Sequence, residues 1–187
     1  MIGYLEGQIK EKYPEQLLVN VRGVGYQLSV PNFVWQNCQK NEKKSFLVYT
    51  HVREDEISLY GFLKPADKEI FIKMIGVSGI GPRLSMSVLS FARGAGRIIR
   101  AIADAEVDYF VEVKGLGKKS AQRLIIDLKS QVGGLKELEF ESQQDPDLLE
   151  ALKSLGFSKD EIIKAIKGIN QKLPLEEKIR QILKKVS

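Results

Sequence analysis

The chain has little of what most catalytic and metal chemistry needs. Among 187 residues there is one cysteine, Cys38, and one histidine, His51. A single cysteine excludes an intrachain disulfide. One Cys and one His far apart do not make a zinc site, nor the adjacent nucleophile and base of covalent catalysis. No apolar run approaches the ~18–20 residues that cross a bilayer, so no membrane partner is expected. The N-terminus, MIGYLEGQIK, has acidic and polar residues where a secretory signal needs its apolar core. The expected location is the cytoplasm. No Walker sequence and no metal-ligand cluster is present, so no cofactor and no catalytic residue are expected.

What is present is a misplaced charge. The net charge is +5. Residues 1–63 carry 7 basic and 7 acidic side chains, residues 64–134 carry 12 and 7, and residues 135–187 carry 10 and 10. The whole excess sits in the middle third. A local basic excess is the footprint of a polyanion-binding surface. An ordinary basic helical surface has the same composition, so charge alone leaves both readings open.

The first third reads as strand. YLEGQIK alternates apolar and polar residues, and LLVNVRGVGYQLSVP gives two β-rich runs around Gly23 and Gly25. FLVYTHV and ISLYGF flank the charged tip REDE. Five short strands with polar breaks predict a small antiparallel barrel, such as an OB-fold, over residues 1–63. The Gly23 and Gly25 pair reads as a bulge or tight bend, because no helical pattern follows it.

From Pro65 the period lengthens. ADKEIFIKMIGV places Ile70, Phe71, Met74 and Ile75 on one helical face. GPRLSMSVLS opens a second helix, with Pro82 suited to the first position. RIIRAIADA and VDYFVEV give short helices. GKKSAQRLIIDLKSQV gives a longer one, with Leu124, Ile125 and Leu128 inward and Gly133 and Gly134 at its end. The acidic, aperiodic stretch over 135–146 reads as a flexible linker. Residues 147–187 carry three helical stripes. Leu148, Leu149, Leu152 and Leu155 form the first, Ile162, Ile163 and Ile166 the second, and Ile179, Ile182, Leu183 and Val186 the third. Ser158 with Glu161 forms a capping box. The fold class is therefore multidomain α+β.

The middle third repeats itself. VSGIGPRLSMSVL starts at Val77 and VKGLGKKSAQRLI at Val113, 36 residues later. Each reads apolar, polar, Gly, apolar, Gly, two residues, then a helix. A repeated helix, Gly-x-Gly turn and helix is more specific than either copy alone. Glycines permit positive φ and close approach of another backbone. Ile80 and Leu116 would point inward and pin the turns. Free N–H groups at the start of each second helix form an anion site, with Arg83, Lys118 and Lys119 beside it.

A nucleotide P-loop is a competing reading, and it fails on spacing. Gly117-Lys118 is followed by Lys119 rather than Ser or Thr, and Glu112 stands where the first Gly belongs. A structural turn without a ligand remains the plain alternative. Amides that hold phosphate cannot read bases, so the expected binding is independent of sequence and steeply dependent on salt.

The three-part order resembles the RuvA family, the DNA-binding subunits of the bacterial Holliday-junction branch-migration complex. The residues that carry the resemblance are MIGYLEGQI, GVGYQLSVP, VREDEISLYGF, VSGIGPR, VKGLGKKSAQR and ALKSLGFSKDEIIKAI, and they span the chain. It implies an OB-fold (1–63) that builds a homotetramer core and a tandem helix-hairpin-helix domain (64–134) that grips junction arms. After the linker it implies a UBA-like three-helix domain (147–187) that docks on the RuvB hexameric ATPase. The resemblance admits the RuvC resolvase and a second tetramer as further partners.

Carried over residue by residue, the resemblance assigns DNA contact to Gly79, Gly81, Arg83, Lys114, Gly115, Gly117, Lys118, Lys119, Ser120 and Arg123. It assigns an acidic pin to Glu54 and Asp55, which repels duplex lying across the junction centre. A charged hairpin turn is otherwise just solvated. Leu155, Phe157 and Ile163 are candidates for the motor-binding surface. The chain departs from the family in three places. The linker is short and acidic where relatives have a longer Pro- or Ser-rich one. Gly94 and Gly96 stand where a helix cap is common, which leaves Arg93 or Arg97 as alternative phosphate contacts. Lys114 stands where Pro is frequent.

Two other functions stay open on the sequence. One is a structure-selective nuclease, which needs a Mg²⁺-binding carboxylate cluster. Glu54, Asp55 and Glu56 are the only tight acidic run near the basic third. The other is a general duplex-binding module without a motor.

Overall fold

The computed structural model describes residues 1–132, 146–166, 169 and 173–186. The chain divides into two compact units, Met1–Glu139 and Phe140–Ser187.

The first unit begins with five strands: β1 (Tyr4–Tyr13), β2 (Gln16–Val21), β3 (Val24–Ser29), β4 (Lys43–Val52) and β5 (Ile57–Phe62). They close into a barrel in the order β1-β2-β3-β5-β4. The alternation in the sequence sets the inward columns, so Ile9, Leu17, Val19, Leu28 and Phe46 are buried together. β1 serves two neighbours, pairing with β4 over Tyr4 to Gln8 and with β2 from Gln8 to Tyr13. A register shift between Ile9 and Glu11 makes the bend. Gly7 lies at the crossing, where a Cβ would stand 2.3 Å from the Asn20 carbonyl oxygen.

Arg22 and Gly23 join β2 to β3, both at positive φ (49° and 93°). Such two-residue turns match the twist of the flanking strands. The Gly23 N–H donates to Asn20 Oδ1 at 3.0 Å. The glycine pair expected to bend the chain thus sits at a tight hairpin.

Two features depart from the sequence reading. The barrel is not wholly antiparallel: β3 and β5 pair in parallel through Leu28 with Leu59 and Ser29 with Tyr60. A parallel pair needs a crossover connection, which here carries α1 (Asn32–Gln36) and β4. The helix α1 was not expected, since five residues are too few to display a period. It places Val34 in the barrel core next to Cys38. Burial pushes the Cys38 thiol pKa up.

Five helices follow: α2 (Pro65–Ile75), α3 (Pro82–Ala92), α4 (Ala95–Ala103), α5 (Val107–Val111) and α6 (Lys118–Lys129). Their core is continuous with the barrel end, because Tyr60 and Phe62 of β5 share one cluster with Ile70, Phe71 and Met74. Phe71 is the joint. Its ring centroid lies 5.0 Å from that of Phe62, 5.2 Å from Tyr60 and 5.6 Å from Tyr49. Deleting a buried ring of this kind costs ~3–5 kcal/mol. Asn32 adds a backbone N–H bond to Ser90 Oγ at 3.0 Å. The change from strand to helix after residue 63 is therefore not a break in packing. Gly133 and Gly134, expected to end α6, lie outside the described residues.

The second unit contains α7 (Pro146–Ser154), α8 (Lys159–Ile166) and α9 (Leu175–Val186). Leu148, Leu152, Ile162, Ile166 and Ile182 form its core. The stripes read from the sequence are right in period and one residue too wide: Leu155 and Leu183 are exposed. The Glu161 carboxylate accepts from the Ser158 N–H at 2.8 Å and from Ser158 Oγ at 2.6 Å. These bonds hold the Glu161 pKa below the usual carboxylate range. One arm of the capping box is thus formed, while the serine hydroxyl turns to the carboxylate. Of the linker expected over 135–146, residues 135–145 lie outside the described residues, and Pro146 opens α7.

Candidate nucleic-acid interface

The two glycine turns are built by the same hydrogen bonds, 36 residues apart. In the first, Ile80 N–H donates to the Val77 carbonyl at 3.0 Å and Ser85 N–H to Gly81 at 3.0 Å. In the second, Leu116 N–H donates to Val113 at 3.0 Å and Ala121 N–H to Gly117 at 2.9 Å. Ile80 and Leu116 are 3 % and 2 % exposed, so both pin their turns to the core. Leu84 of α3 reaches the second turn, with its Cδ1 3.7 Å from where a Gly115 Cβ would stand. The two turns are neighbours in space.

The four glycines answer two different demands. Gly79 and Gly115 have φ of +84° and +92°, where L side chains are strained. Gly81 and Gly117 have φ of −92° and −77°, which any residue adopts. A Cβ on either meets nothing within 4 Å. Neither the backbone nor the packing of this chain requires glycine at 81 or 117.

Gly81 and Gly117 are also the N-caps of α3 and α6, and neither helix start has a side-chain cap. The first-turn N–H groups of Arg83, Leu84, Lys118, Lys119 and Ser120 therefore have no capping side chain, and the positive end of the helix dipole lies behind them. Arg83, Lys114, Lys118, Lys119 and Arg123 are exposed around them, and Ser120 is half-buried. None of the salt bridges between described residues involves these five cations. The expected contact residues are thus brought together on one surface, with donors and cations uncommitted.

The charged tip is a tight turn between β4 and β5, closed by Arg53 N–H donating to the Glu56 carbonyl at 2.9 Å. Glu54 and Asp55 are exposed at its apex, and no ion pair between described residues engages them. Glu56 is different, because it accepts from Ser58 Oγ. The same hairpin lines a groove of about 440 Å³ with the first turn: His51, Arg53, Glu56, Ser58 and Tyr60 on one wall, and Gly81, Pro82, Arg83 and Leu84 on the other. Arg53 Nε donates to His51 Nε2 at 3.1 Å.

Three parts of this surface were not read from the sequence. The start of α4 at Gly94 is capped in trans: Asp67 of α2, 1 % exposed, accepts from Ala95 N–H at 2.8 Å. Gly94 has φ 130° and leaves room for that carboxylate. The usual signal, a capping side chain in the preceding residue, is missing. Arg97, an alternative phosphate contact on the sequence, is not free in the structure. It holds Glu106 through two bonds, at 3.0 and 2.5 Å, and lies 4.0 Å over the Tyr109 ring. The Arg97 guanidinium holds the Glu106 pKa down, and Glu106 holds that of Arg97 up. Burial raises the Tyr109 pKa. Spacing gave no hint of this pair, because Arg97 lies on α4 and Glu106 in the turn that leads into α5. Arg93 is exposed at φ 56°, ending α3. The third part is the groove wall from His51 to Tyr60.

In the second unit, Leu155 is 53 % exposed, Phe157 packs partly on the core, and Ile163 is half-buried. Among the described residues, no group of three or more His, Cys, Asp or Glu side chains is placed to hold a metal ion. No described helix is long and apolar enough to cross a membrane.

Comparison with known proteins accounts for most of the chain. A family described as the RuvA N terminal domain matches residues 1–61. A SAM-like helix-hairpin-helix tandem matches 71–130. The RuvA C-terminal domain matches 146–187. A Holliday junction branch migration complex subunit RuvA from Polaromonas sp. is 36% identical over 188 residues, covering 98% of each chain. A subunit of the same name from Solibacter usitatus is 36% identical over 197 residues, covering 100% of each. One from Acholeplasma laidlawii is 35% identical, covering 98% of this chain and 97% of its own.

Proposed function

The chain belongs to the RuvA family, and from that premise we propose that it binds four-way junction DNA by shape and recruits a RuvB-type hexameric ATPase for branch migration in recombination and repair. The observation that carries this reading is the pair of identically bonded glycine turns, adjacent in space, with uncapped helix starts and unpaired cations. Gly79, Gly81 and Arg83 form the first grip. Lys114, Gly115, Gly117, Lys118, Lys119, Ser120 and Arg123 form the second. Contacts to phosphate through amides and lysines are blind to base sequence, which suits arms that must slide.

Glu54 and Asp55 act as the acidic pin. Their carboxylates disfavour phosphates that cross the hairpin end, so plain duplex loses where an open junction does not. The barrel is the assembly core of a homotetramer, and four tips then surround one crossover. A second tetramer or the RuvC resolvase takes the opposite face of the junction. The unit 147–187 is the motor-docking domain, with Leu155 as the most accessible apolar side chain among its described residues and Phe157 and Ile163 as further candidates. The chain itself is a non-catalytic subunit of the cytoplasm, and ATP hydrolysis belongs to the motor.

A gel-shift comparison of four-way junction and linear duplex, across a salt series, tests this reading. Junction preference, a steep salt slope and a further shift on adding the motor are expected. Equal affinity for junction and duplex would leave only a general duplex-binding module. Cleavage of labelled junction by the pure protein with Mg²⁺ would make it a nuclease.

A further inference from the structure

We propose that Val52 and Ile57 form an apolar lip that receives the faces of unpaired bases at a DNA branch point, an inference that rests on the junction-binding reading. The two residues are direct partners across the β4–β5 ladder. They are 65 % and 69 % exposed. They end the column of side chains that faces the barrel interior, in which Val48 and Leu59 are 1 % and 9 % exposed. The alternation that fills the core thus continues one rung past the barrel mouth. It leaves two β-branched side chains in water, side by side. Val24 (54 %) stands at the same end of the barrel, on the neighbouring hairpin.

The surroundings select the occupant. The opposite face of this hairpin is a wall of the groove that starts at Gly81 and Arg83. A strand gripped at the first turn is therefore led along the hairpin to its end. There Glu54 and Asp55 repel phosphate. The part of a nucleic acid that can meet an apolar pair beside two carboxylates is its uncharged, flat part, the base. Intact duplex keeps its bases stacked, so only an unpaired base offers that face. A second copy of the chain packed lip to lip would set four carboxylates side by side, and like-charge contact of that kind is unfavourable.

The test uses the full-length protein and a synthetic junction with 2-aminopurine at the branch point. Val52→Thr with Ile57→Thr keeps the β-branched shape and replaces a methyl by hydroxyl at the first site and an ethyl group by hydroxyl at the second. Its melting temperature reports on the fold. Wild type is expected to raise the 2-aminopurine fluorescence and to prefer a junction with mismatched central pairs over a fully paired one. In the double variant the fluorescence gain shrinks, and that preference falls by about fourfold for each carbon removed, one at Val52 and two at Ile57, the factor that goes with one buried methyl or methylene. A variant that is folded and matches wild type in both readouts overturns the lip alone. A variant whose sedimentation shows fewer subunits, with the fluorescence gain per bound complex unchanged, assigns the pair to a subunit contact and also overturns it. A wild-type protein without junction preference overturns the functional reading and the lip with it.

Discussion

Alanine at Gly117 should separate what the fold needs from what the ligand needs. The residue has φ −77°, and a Cβ there meets no protein atom within 4 Å. At an N-cap, Ala is worse than Gly by about 0.5–1 kcal/mol. Against that, Ala restricts the unfolded chain and returns about 0.4–1 kcal/mol. The two offset, so the melting temperature of Gly117→Ala should stay within a few degrees of wild type. DNA binding should behave differently. The methyl stands beside the free amides at the start of α6, where a phosphate would sit. A hydrogen bond to a charged group contributes about 1.5–3 kcal/mol, and its loss means a fall in affinity of about 10- to 150-fold. Gly115→Ala is the control with the opposite signature. At φ +92° the new side chain is strained by about 1–2 kcal/mol, so this variant loses stability. Circular dichroism melts and junction titrations at one fixed salt read both quantities. Wild-type junction affinity in a folded Gly117→Ala protein would refute the claim that the turn amides hold the backbone.

Further outcomes follow from other parts of the surface. Lys118→Ala should weaken junction and duplex binding alike and lower the slope of log K against log salt by about 1, and an unchanged slope would remove Lys118 from the contacts. Glu54→Gln with Asp55→Gln should raise linear-duplex binding and narrow the junction preference. An unchanged affinity ratio would count against repulsion by the pin. Glu106 is a carboxylate whose folded pKa lies below its unfolded value, so its pairing with Arg97 stabilises the fold at neutral pH. That contribution is lost as pH falls through the folded pKa, below about pH 4.3. Glu106→Gln should therefore be the less stable protein near neutrality and should lose less melting temperature on acidification. Parallel acid profiles would show that the pair does not couple α4 to α5.

The parts of this fold legible in the sequence are those encoded by local period. Strand alternation marks the barrel core, and the 36-residue repeat marks both glycine turns. The glycine pattern itself carried two messages in one letter code. Gly79 and Gly115 answer to backbone conformation, whereas Gly81 and Gly117 answer to empty space, and only φ and the neighbouring atoms tell them apart. What stayed hidden depends on residues distant in sequence. The parallel pairing of β3 with β5 closes the barrel across an intervening helix and strand. Asp67 caps a helix 28 residues away, so Gly94 looked like a missing cap.

The same limit explains why the arginines of FARGAGRIIR read as free charge. Composition counts a cation wherever it stands, but binding needs one without a partner. Arg97 spends its guanidinium on Glu106 and Tyr109, between the exit of the first hairpin and the entry of the second. Tyr109 in turn lies 5.1 Å from Phe91 at the end of α3. A cation counted toward DNA binding is thus part of a surface strut from α3 through α4 to α5. The basic excess of the middle third therefore divides into two kinds of charge. Arg83, Lys114, Lys118, Lys119 and Arg123 stand open beside the turns, while Arg97 is paired within the fold, on Glu106 and the Tyr109 ring.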